Sequence, residues 1–204
     1  MNLVNATMEL EKLFDNLNRV KFESKLPKPM ICIQSYGRGR KLYGWCTLQK
    51  IWKENEEADG YYEITICAEF LKRPFEDIAT TLLHEMVHLY NVENGVKDCS
   101  NNNVYHNKKF KNEAEARGLK ITKDKTIGWS ISELNEDTKL IVHSLGIDES
   151  VFGIARVIFM KGTKKAPKKY TYTCPVCKTK VISEDPELKA YCFNDHEDEL
   201  FVRK

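Results

Sequence analysis

An apolar run in the middle of the chain constrains the fold more than any other feature. Between residues 75 and 90, apolar side chains recur on almost every side of a helix: Phe75, Ile78, Ala79, Leu82, Leu83, Met86, Val87 and Tyr90. A helix that is apolar all round is buried in a core. From Leu82 to Tyr90 this run is interrupted by three polar residues, His84, Glu85 and His88. Because buried polar groups need partners, we predict a central helix that carries a polar site.

The spacing of the three polar residues indicates the chemistry of that site. They form the pattern His-Glu-x-x-His. Residues at i and i+4 share one face of a helix, so His84 and His88 can bind one zinc ion while Glu85 stands beside the open coordination position. Zinc lowers the pKa of a bound water, and a glutamate can take its proton as the water attacks a carbonyl. The pattern therefore predicts a catalytic zinc site with Glu85 as the base.

A catalytic zinc site needs a third protein ligand. The metzincin pattern is excluded, because Asn91 and Asn94 stand where it would continue after the second histidine. The sequence favours His106, which opens the next predicted helix after an Asn-rich loop that lets the chain turn back. Glu113 and Glu115 on that helix are the alternative donors, as in a thermolysin-like arrangement.

Hydrophobic periodicity divides the rest of the first 160 residues into short elements. It predicts a helix over 5–22, strands over 30–33, 42–47 and 62–66, the buried helix between Pro74 and Gly95, and a helix over 107–117 closed by Gly118. Weaker patterns predict a strand over 119–122, a helix over 136–145 and a strand over 152–159. We expect the first strands to be antiparallel, the strand over 62–66 to be half-buried, and His143 to be structural or exposed.

Residues 10–120 resemble the SprT-like (SprT/Spartan-type) zinc metalloproteases. The matching segments are Leu13-Phe14, Leu17-Asn18, Lys25-Leu26-Pro27, Gly37-Arg38, Gly44, Thr81–His88 and Tyr105–Phe110. The resemblance implies that His84, His88 and His106 bind zinc and that Glu85 is the catalytic base. It implies an α+β, zincin-like metalloprotease domain, with helices packed on a small, mainly antiparallel sheet. Spartan-type members are DNA-activated proteases that act on proteins crosslinked to DNA, which implies a role in DNA–protein crosslink repair.

A second group of metal-ligating residues lies near the end of the chain. Cys174 and Cys177 form a C-x-x-C pair, and Cys192 and His196 follow at the separation of a hairpin. This spacing predicts a zinc ribbon, in which a structural zinc ion substitutes for a core too small to fold alone. His196 is favoured over Asp195 as the fourth ligand, since imidazole suits such a site better than a lone carboxylate. A redox-active pair is the alternative, but it lacks a thioredoxin-like context.

Length and charge suggest how these parts are arranged. The chain has 204 residues and a net charge of +2. We predict a metalloprotease domain over 1–160, a lysine-rich linker over 161–169 and the ribbon over 170–204. The linker, Lys161–Lys169, is either a solvated hinge or a contact for DNA phosphates.

The ribbon's own side chains leave its role open. Its aromatic residues, Tyr170, Tyr172, Tyr191 and Phe193, can stack on nucleic-acid bases or fill the small core. The acidic end, Glu197–Glu199, argues against nucleic acid.

Composition excludes other classes of protein. Charges interrupt every apolar run, so no membrane span is predicted. Glu9, Glu11 and Lys12 interrupt the apolar stretch that a signal peptide needs, so we expect a cytoplasmic protein. In that setting Cys32, Cys46, Cys67 and Cys99 are expected to be free thiols without a function.

Two functional hypotheses follow. The first is a zinc-dependent endopeptidase with a protein substrate, acting on DNA-associated proteins. The alternative is a non-catalytic, zinc-containing regulator that binds nucleic acid or protein and does not need Glu85. The sequence makes no prediction of the oligomeric state.

Overall fold

The computed structural model describes residues 2–36, 42–157 and 167–203, and the chain divides into two compact units, Met1–Ile158 and Phe159–Lys204. The described part of the first unit contains four α-helices: α1 (Leu3–Lys21), α2 (Phe75–Glu93), α3 (Lys108–Ala116) and α4 (Glu136–Ser144). These bounds lie within a few residues of the predicted ones. In the described ranges, no helix has both the length and the apolar character that crossing a membrane requires.

The first sheet has the strand order β1-β3-β2, with β1 at Met30–Gln34, β2 at Gly44–Cys46 and β3 at Glu63–Cys67. β2 is antiparallel to β3, but β1 is parallel to it, so the expected antiparallel run is wrong for this pair. The connection from β1 to β3 is long enough for the crossover that parallel strands need. The expectation of a half-buried strand is also wrong, because β3 is central and all five of its residues are buried.

The second sheet has the order β4-β5-β7-β6. Its strands are β4 (Cys99–Ser100), β5 (Tyr105–His106), β6 (Leu119–Asp124) and β7 (Gly128–Leu134). β4 and β5 are antiparallel, β6 and β7 form an antiparallel hairpin, and β5 runs parallel to β7. The described part of the unit thus contains two small sheets, each with one parallel pair, rather than one mainly antiparallel sheet.

Helix α2 lies at the centre of this arrangement. It contacts β2 and β3 of the first sheet, β7 of the second sheet, and the other three helices. Its apolar residues from Ile78 to Leu89 are fully buried, and α1 adds Leu10, Leu13, Phe14 and Leu17 to the same core. Burial on all sides holds α2 in place and therefore holds the polar residues that it carries.

The end of the first unit differs from its prediction. Glu149–Phe152 form a short 3₁₀ helix, and no strand follows over residues 153–157. The predicted strand over 152–159 is therefore wrong in its described part, and residues 158 and 159 lie outside the described ranges. Packing explains the difference, because the Phe152 ring stacks on Phe75 with 6.1 Å between centroids, and the backbone N–H of Arg156 bonds the carbonyl of Ala68.

The second unit is built from short strands. It contains β8 (Tyr170–Thr173), β9 (Lys180–Ser183), β10 (Tyr191–Cys192), β11 (Glu199–Leu200) and β12 (Val202–Arg203). The described strands form a sheet of order β12-β8-β9 and a separate β10-β11 pair. Its buried core is small and consists of Tyr172, Cys174, Cys192 and Phe201. Most of the predicted linker, including Lys161, Lys164 and Lys165, lies outside the described residues, as do Gly37 and Arg38.

Candidate metal centres

Three histidine rings converge at the face of α2. His84 and His88 come from adjacent turns of the helix, and His106 comes from β5. Their Nε2 atoms lie 3.2 Å apart for His84 and His88, 3.2 Å for His84 and His106, and 3.1 Å for His88 and His106. A tetrahedral zinc ion with bonds of about 2.0–2.1 Å holds its nitrogen ligands roughly 3.3 Å apart. The three imidazoles therefore fit such an ion.

His88 is held by a buried carboxylate. Its Nδ1 lies 2.7 Å from Oδ2 of Asp98, which also accepts a hydrogen bond of 2.9 Å from Nδ2 of Asn91. An ionised carboxylate only accepts hydrogen bonds, so Nδ1 of His88 carries the proton and Nε2 keeps its lone pair. This arrangement of carboxylate and histidine is the support that metal-binding histidines usually have.

The other two rings have neutral partners. Nδ1 of His84 lies 2.8 Å from Oγ of Ser132, and Nδ1 of His106 lies 3.2 Å from the backbone oxygen of Ile127. A carbonyl oxygen accepts only, so it places the proton of His106 on Nδ1. Each ring is thus oriented through Nδ1 and directs Nε2 to the common centre.

Burial favours the neutral, ligating form of two of the rings. It lowers the pKa of His84 well below its usual value, and it lowers that of His106 to about 4. Burial opposes the charged form of His88 too, but the hydrogen bond with Asp98 and the negative charges of Glu85 and Asp98 together outweigh it and raise that pKa. Burial also opposes the charged form of Asp98, but its interactions with His88 and the hydrogen bonds from Asn91 and Cys99 together lower its pKa, so the carboxylate stays ionised.

Phe110 packs against all three imidazoles. Its ring centroid lies 4.5 Å from that of His84, 4.6 Å from His88 and 4.7 Å from His106, and its side chain is fully buried. The ring belongs to α3, whose first turn is capped by the side chain of Asn107 directly after His106. The cap and the buried ring together fix the chain that directly follows His106.

Glu85 stands beside this centre in a buried position. Only 6% of the residue is exposed, and burial raises the pKa of its carboxyl to about 7, while His88 and a hydrogen bond from the backbone of Cys46 oppose the rise. Strand β2 approaches α2 closely here. A Cβ on Gly44 would lie 2.7 Å from the oxygen of Thr65 and 2.9 Å from Cγ2 of Thr81 on α2, so this close approach requires glycine.

An open cleft of about 560 Å³ reaches His84, His106 and Glu85. It is also lined by residues 42–44, by other residues of α2 and by residues 130–133 of β7. The segment 120–160 carries no motif that the sequence reveals, yet its strand β7 lines the cleft and supplies Ser132 to His84.

The alternative donors have other partners. Glu113 pairs with Arg117 at 2.8 Å, and Glu115 pairs with Lys111 at 2.5 Å. His143 is half-exposed and bonds two glutamates on the surface, as expected for a structural or exposed histidine. The structure thus brings His106, rather than either glutamate, to the pair on α2.

Comparison with known proteins identifies the family. The model of the SprT-like family matches residues 10–125, which is more than half of the chain. The chain belongs to the SprT-like family. Neither the curated proteins nor the solved structures include a match. The SprT-like segment contains Glu85 and all three histidines of the cluster, and it ends before the second unit.

Beyond the SprT-like segment, a second group of donors gathers in the second unit. Sγ of Cys174 lies 3.6 Å from Nε2 of His196, and Sγ of Cys177 lies 3.6 Å from Sγ of Cys192. All four ligand atoms lie within 4.8 Å of one another. Nδ1 of His196 lies 2.6 Å from the carbonyl oxygen of Glu197, which leaves Nε2 toward the sulfurs.

The chemistry of these donors suits a structural zinc ion. Three sulfurs and one imidazole nitrogen form one of the common structural sets. The hydrogen bonds with Thr179 lower the pKa of the Cys177 thiol to about 5, which favours the ligating thiolate. The other four cysteines, Cys32, Cys46, Cys67 and Cys99, are free thiols, and burial raises the pKa of each.

Sequence reasoning missed the residues that support the metal ligands. Asp98, Ser132 and Phe110 are separated from the His-Glu-x-x-His pattern along the chain and have no fixed spacing from it. A signal exists for Asp98 only, because a metal-binding histidine usually bonds a carboxylate, and Asp98 is an acidic residue in the loop that leads to His106.

Proposed function

We propose that this SprT-like protein is a zinc-dependent endopeptidase. Its family supports a metalloprotease function in the broad sense. The observation that carries the proposal is the convergence of three Nε2 atoms at 3.1–3.2 Å, beside a buried glutamate in an open cleft. In this proposal His84, His88 and His106 hold the catalytic zinc ion, within a zincin-like fold.

Glu85 has the central role in the reaction. Zinc, when bound, polarises the scissile carbonyl and makes a water molecule more acidic. Glu85 takes a proton from the attacking water, the water oxygen bonds to the carbonyl carbon, and Glu85 passes the proton to the nitrogen as the C–N bond breaks. The hydrogen bond from the backbone of Cys46 orients this carboxyl group.

A second zinc ion would stabilise the ribbon. The buried core of this unit is too small to be stable by apolar burial alone, so a metal ion held by Cys174, Cys177, Cys192 and His196 would supply much of its folding free energy. The set of donor atoms supports His196, rather than Asp195, as the fourth ligand.

The ribbon also supports an association with DNA. Tyr191 is 56% exposed and Phe193 is 76% exposed, so both rings are available to stack on bases, whereas Tyr172 belongs to the core. Lys178 and Lys180 add positive charge, and Glu197–Glu199 reduce it. Together with the lysines of 161–169, these residues would bring the peptidase to proteins bound or crosslinked to DNA.

One cleavage experiment tests this function. Zinc-loaded full-length protein is incubated with a DNA-binding protein substrate, with no DNA, single-stranded DNA or double-stranded DNA, beside the Glu85→Gln variant. We expect cleavage that requires Glu85 and increases with single-stranded DNA. Cleavage that is indifferent to DNA would remove the DNA part of the proposal. An absence of cleavage in every condition, with zinc bound at both sites, would instead favour a non-catalytic regulator that uses the exposed aromatic residues of the ribbon.

A further inference from the structure

An arginine is held rigidly in the cleft. Nε of Arg73 donates a hydrogen bond of 2.8 Å to the carbonyl of Phe70, and Nη2 donates one of 2.9 Å to Oγ1 of Thr81. The guanidinium carbon lies 4.3 Å from the centroid of the Tyr43 ring. These contacts fix the side chain before any ligand binds, which reduces the entropy that a ligand would otherwise cost. Arg73 lines the same cleft as Glu85.

The charge of this arginine is not neutralised by a direct partner. Among the described residues that line the cleft, Arg73 is the only one with a permanent positive charge. Asp77 and Glu133 also line the cleft, and Asp77 interacts electrostatically with Arg73, but no carboxylate in the described ranges lies within ion-pair distance of Arg73. Its two hydrogen bonds use two of the five N–H groups of a guanidinium. The remaining N–H groups can bind a carboxylate.

The position of Arg73 relates it to the bond that would be cleaved. Thr81, its partner, precedes His84 by three residues on α2. Three residues correspond to about 4.5 Å along a helix, and an extended peptide advances about 3.4 Å per residue. Arg73, His84 and Glu85 line the same cleft, so an extended peptide bound across the histidines would carry side chains close to the scissile bond past the guanidinium.

We propose that Arg73 determines specificity by binding an acidic side chain of the substrate, one or two residues from the bond that is cleaved. This inference rests on the proposed peptidase function. A guanidinium binds a carboxylate through two parallel hydrogen bonds. A side-chain amide has the same shape as a carboxylate but lacks its negative charge. The partial burial of Arg73 strengthens the pair relative to one on the open surface. The carboxylate would bind the N–H groups that the bonds to Phe70 and Thr81 leave unused.

Matched peptides test the proposal. Peptides of one sequence carry either Glu or Gln at one of the two positions on each side of the scissile bond, and zinc-loaded full-length protein cleaves them. We expect kcat/KM to be about tenfold higher for Glu than for Gln at one of these positions. Arg73→Gln should bring that ratio close to one, while Arg73→Lys, which keeps the charge but loses the fork, should keep about a threefold preference.

Control variants separate this effect from a structural one. Lys72 is the neighbouring cation; it is exposed and does not line the cleft. Lys72→Gln should therefore keep the wild-type preference for Glu over Gln. Each variant is also measured for zinc content and thermal unfolding, and Arg73→Lys covers the case in which Arg73→Gln does not fold. The proposal would be overturned if the ratio of kcat/KM for the Glu peptide to that for the Gln peptide were the same in the wild type and in either folded Arg73 variant.

A binding measurement keeps the inference separate from the proposed activity. The same fluorescent peptides are bound to the Glu85→Gln protein, which retains the cleft, and to the double variant Glu85→Gln/Arg73→Gln. If the Glu85→Gln protein binds the Glu peptide more tightly than the Gln peptide, and the double variant does not, the role of Arg73 is supported. This result holds even if the wild type cleaves none of the peptides and the peptidase function fails. Equal binding of Glu and Gln peptides to both proteins would overturn the role of Arg73.

Discussion

The carboxylate of Asp98 should control metal binding at the histidine centre. Asp98→Asn keeps the size of the side chain but removes the charge that His88 contacts at 2.7 Å. Only 5% of Asp98 is exposed, so solvent screens this interaction weakly. Loss of such a partner typically lowers metal affinity by about 10- to 100-fold, which corresponds to roughly 1.4–2.8 kcal/mol. We expect a loss in this range.

Cobalt titration of the full-length protein can measure this loss without removing the ribbon. Thiolate ligands give cobalt intense charge-transfer bands that imidazole ligands do not, so the two centres are followed separately. Asp98→Asn should weaken binding at the histidine centre and leave the thiolate bands unchanged. Ser132→Ala is the matched control, because it removes a neutral partner of His84 at 2.8 Å. It should cost only about fivefold, the value of an ordinary hydrogen bond.

The result that would refute this reasoning is specific. A folded Asp98→Asn protein that binds metal at the histidine centre as tightly as the wild type would show that the charge of Asp98 does not support His88. An effect equal to that of Ser132→Ala would show that Asp98 acts only as a neutral acceptor. Thermal unfolding of the metal-free proteins checks that both variants retain the fold.

Three further variants test other parts of the structure. Gly44→Ala would place a Cβ 2.7 Å from the oxygen of Thr65, so we expect kcat to fall by at least about tenfold. The metal content of the histidine centre should stay unchanged. A kcat equal to that of the wild type would contradict the positioning of the catalytic base. The hydrogen bond with Glu76 raises the pKa of His143 above 6.5, so its stabilisation is complete below that pH and is lost as pH rises through the raised value. The wild type should therefore melt above His143→Gln at about pH 5.5 and equally at about pH 9, and a constant difference would refute this pair. Cys177→Ser should lower bound metal from about two equivalents to about one and abolish the thiolate bands, whereas unchanged bands would exclude a ribbon site.

The helices could be predicted from the sequence because their signals are local. The apolar spacing of α1 and α2 and the asparagine caps of α3 and α4 lie within the elements themselves. Strand pairing is not local. The alternation over residues 62–66 is compatible with an outer or an inner strand, and only the packing of β1 and β2 on both edges of β3 makes it central.

Strand β7 was missed although its hairpin has a recognisable turn. Oδ1 of Asp124 accepts hydrogen bonds from the backbone N–H groups of Thr126 and Ile127, which is the turn that aspartate favours. Gly128 follows with φ of +75°, and a Cβ there would lie 2.2 Å from the oxygen of His106. This glycine allows β5 to approach β7, a requirement that becomes visible only when the partner strand is known.

The ligands of the candidate site differ in how far local sequence determines them. His84 and His88 are adjacent because a helix places them so, whereas His106 reaches them through β5 and its pairing with Gly128 of β7. The same strand β7 carries Ser132, which orients His84. The two parts of the centre therefore meet only when the second sheet has formed against α2. A metal ion that binds all three histidines would bind the folded arrangement in preference to the unfolded chain, and its binding free energy would stabilise the packing of that sheet on α2.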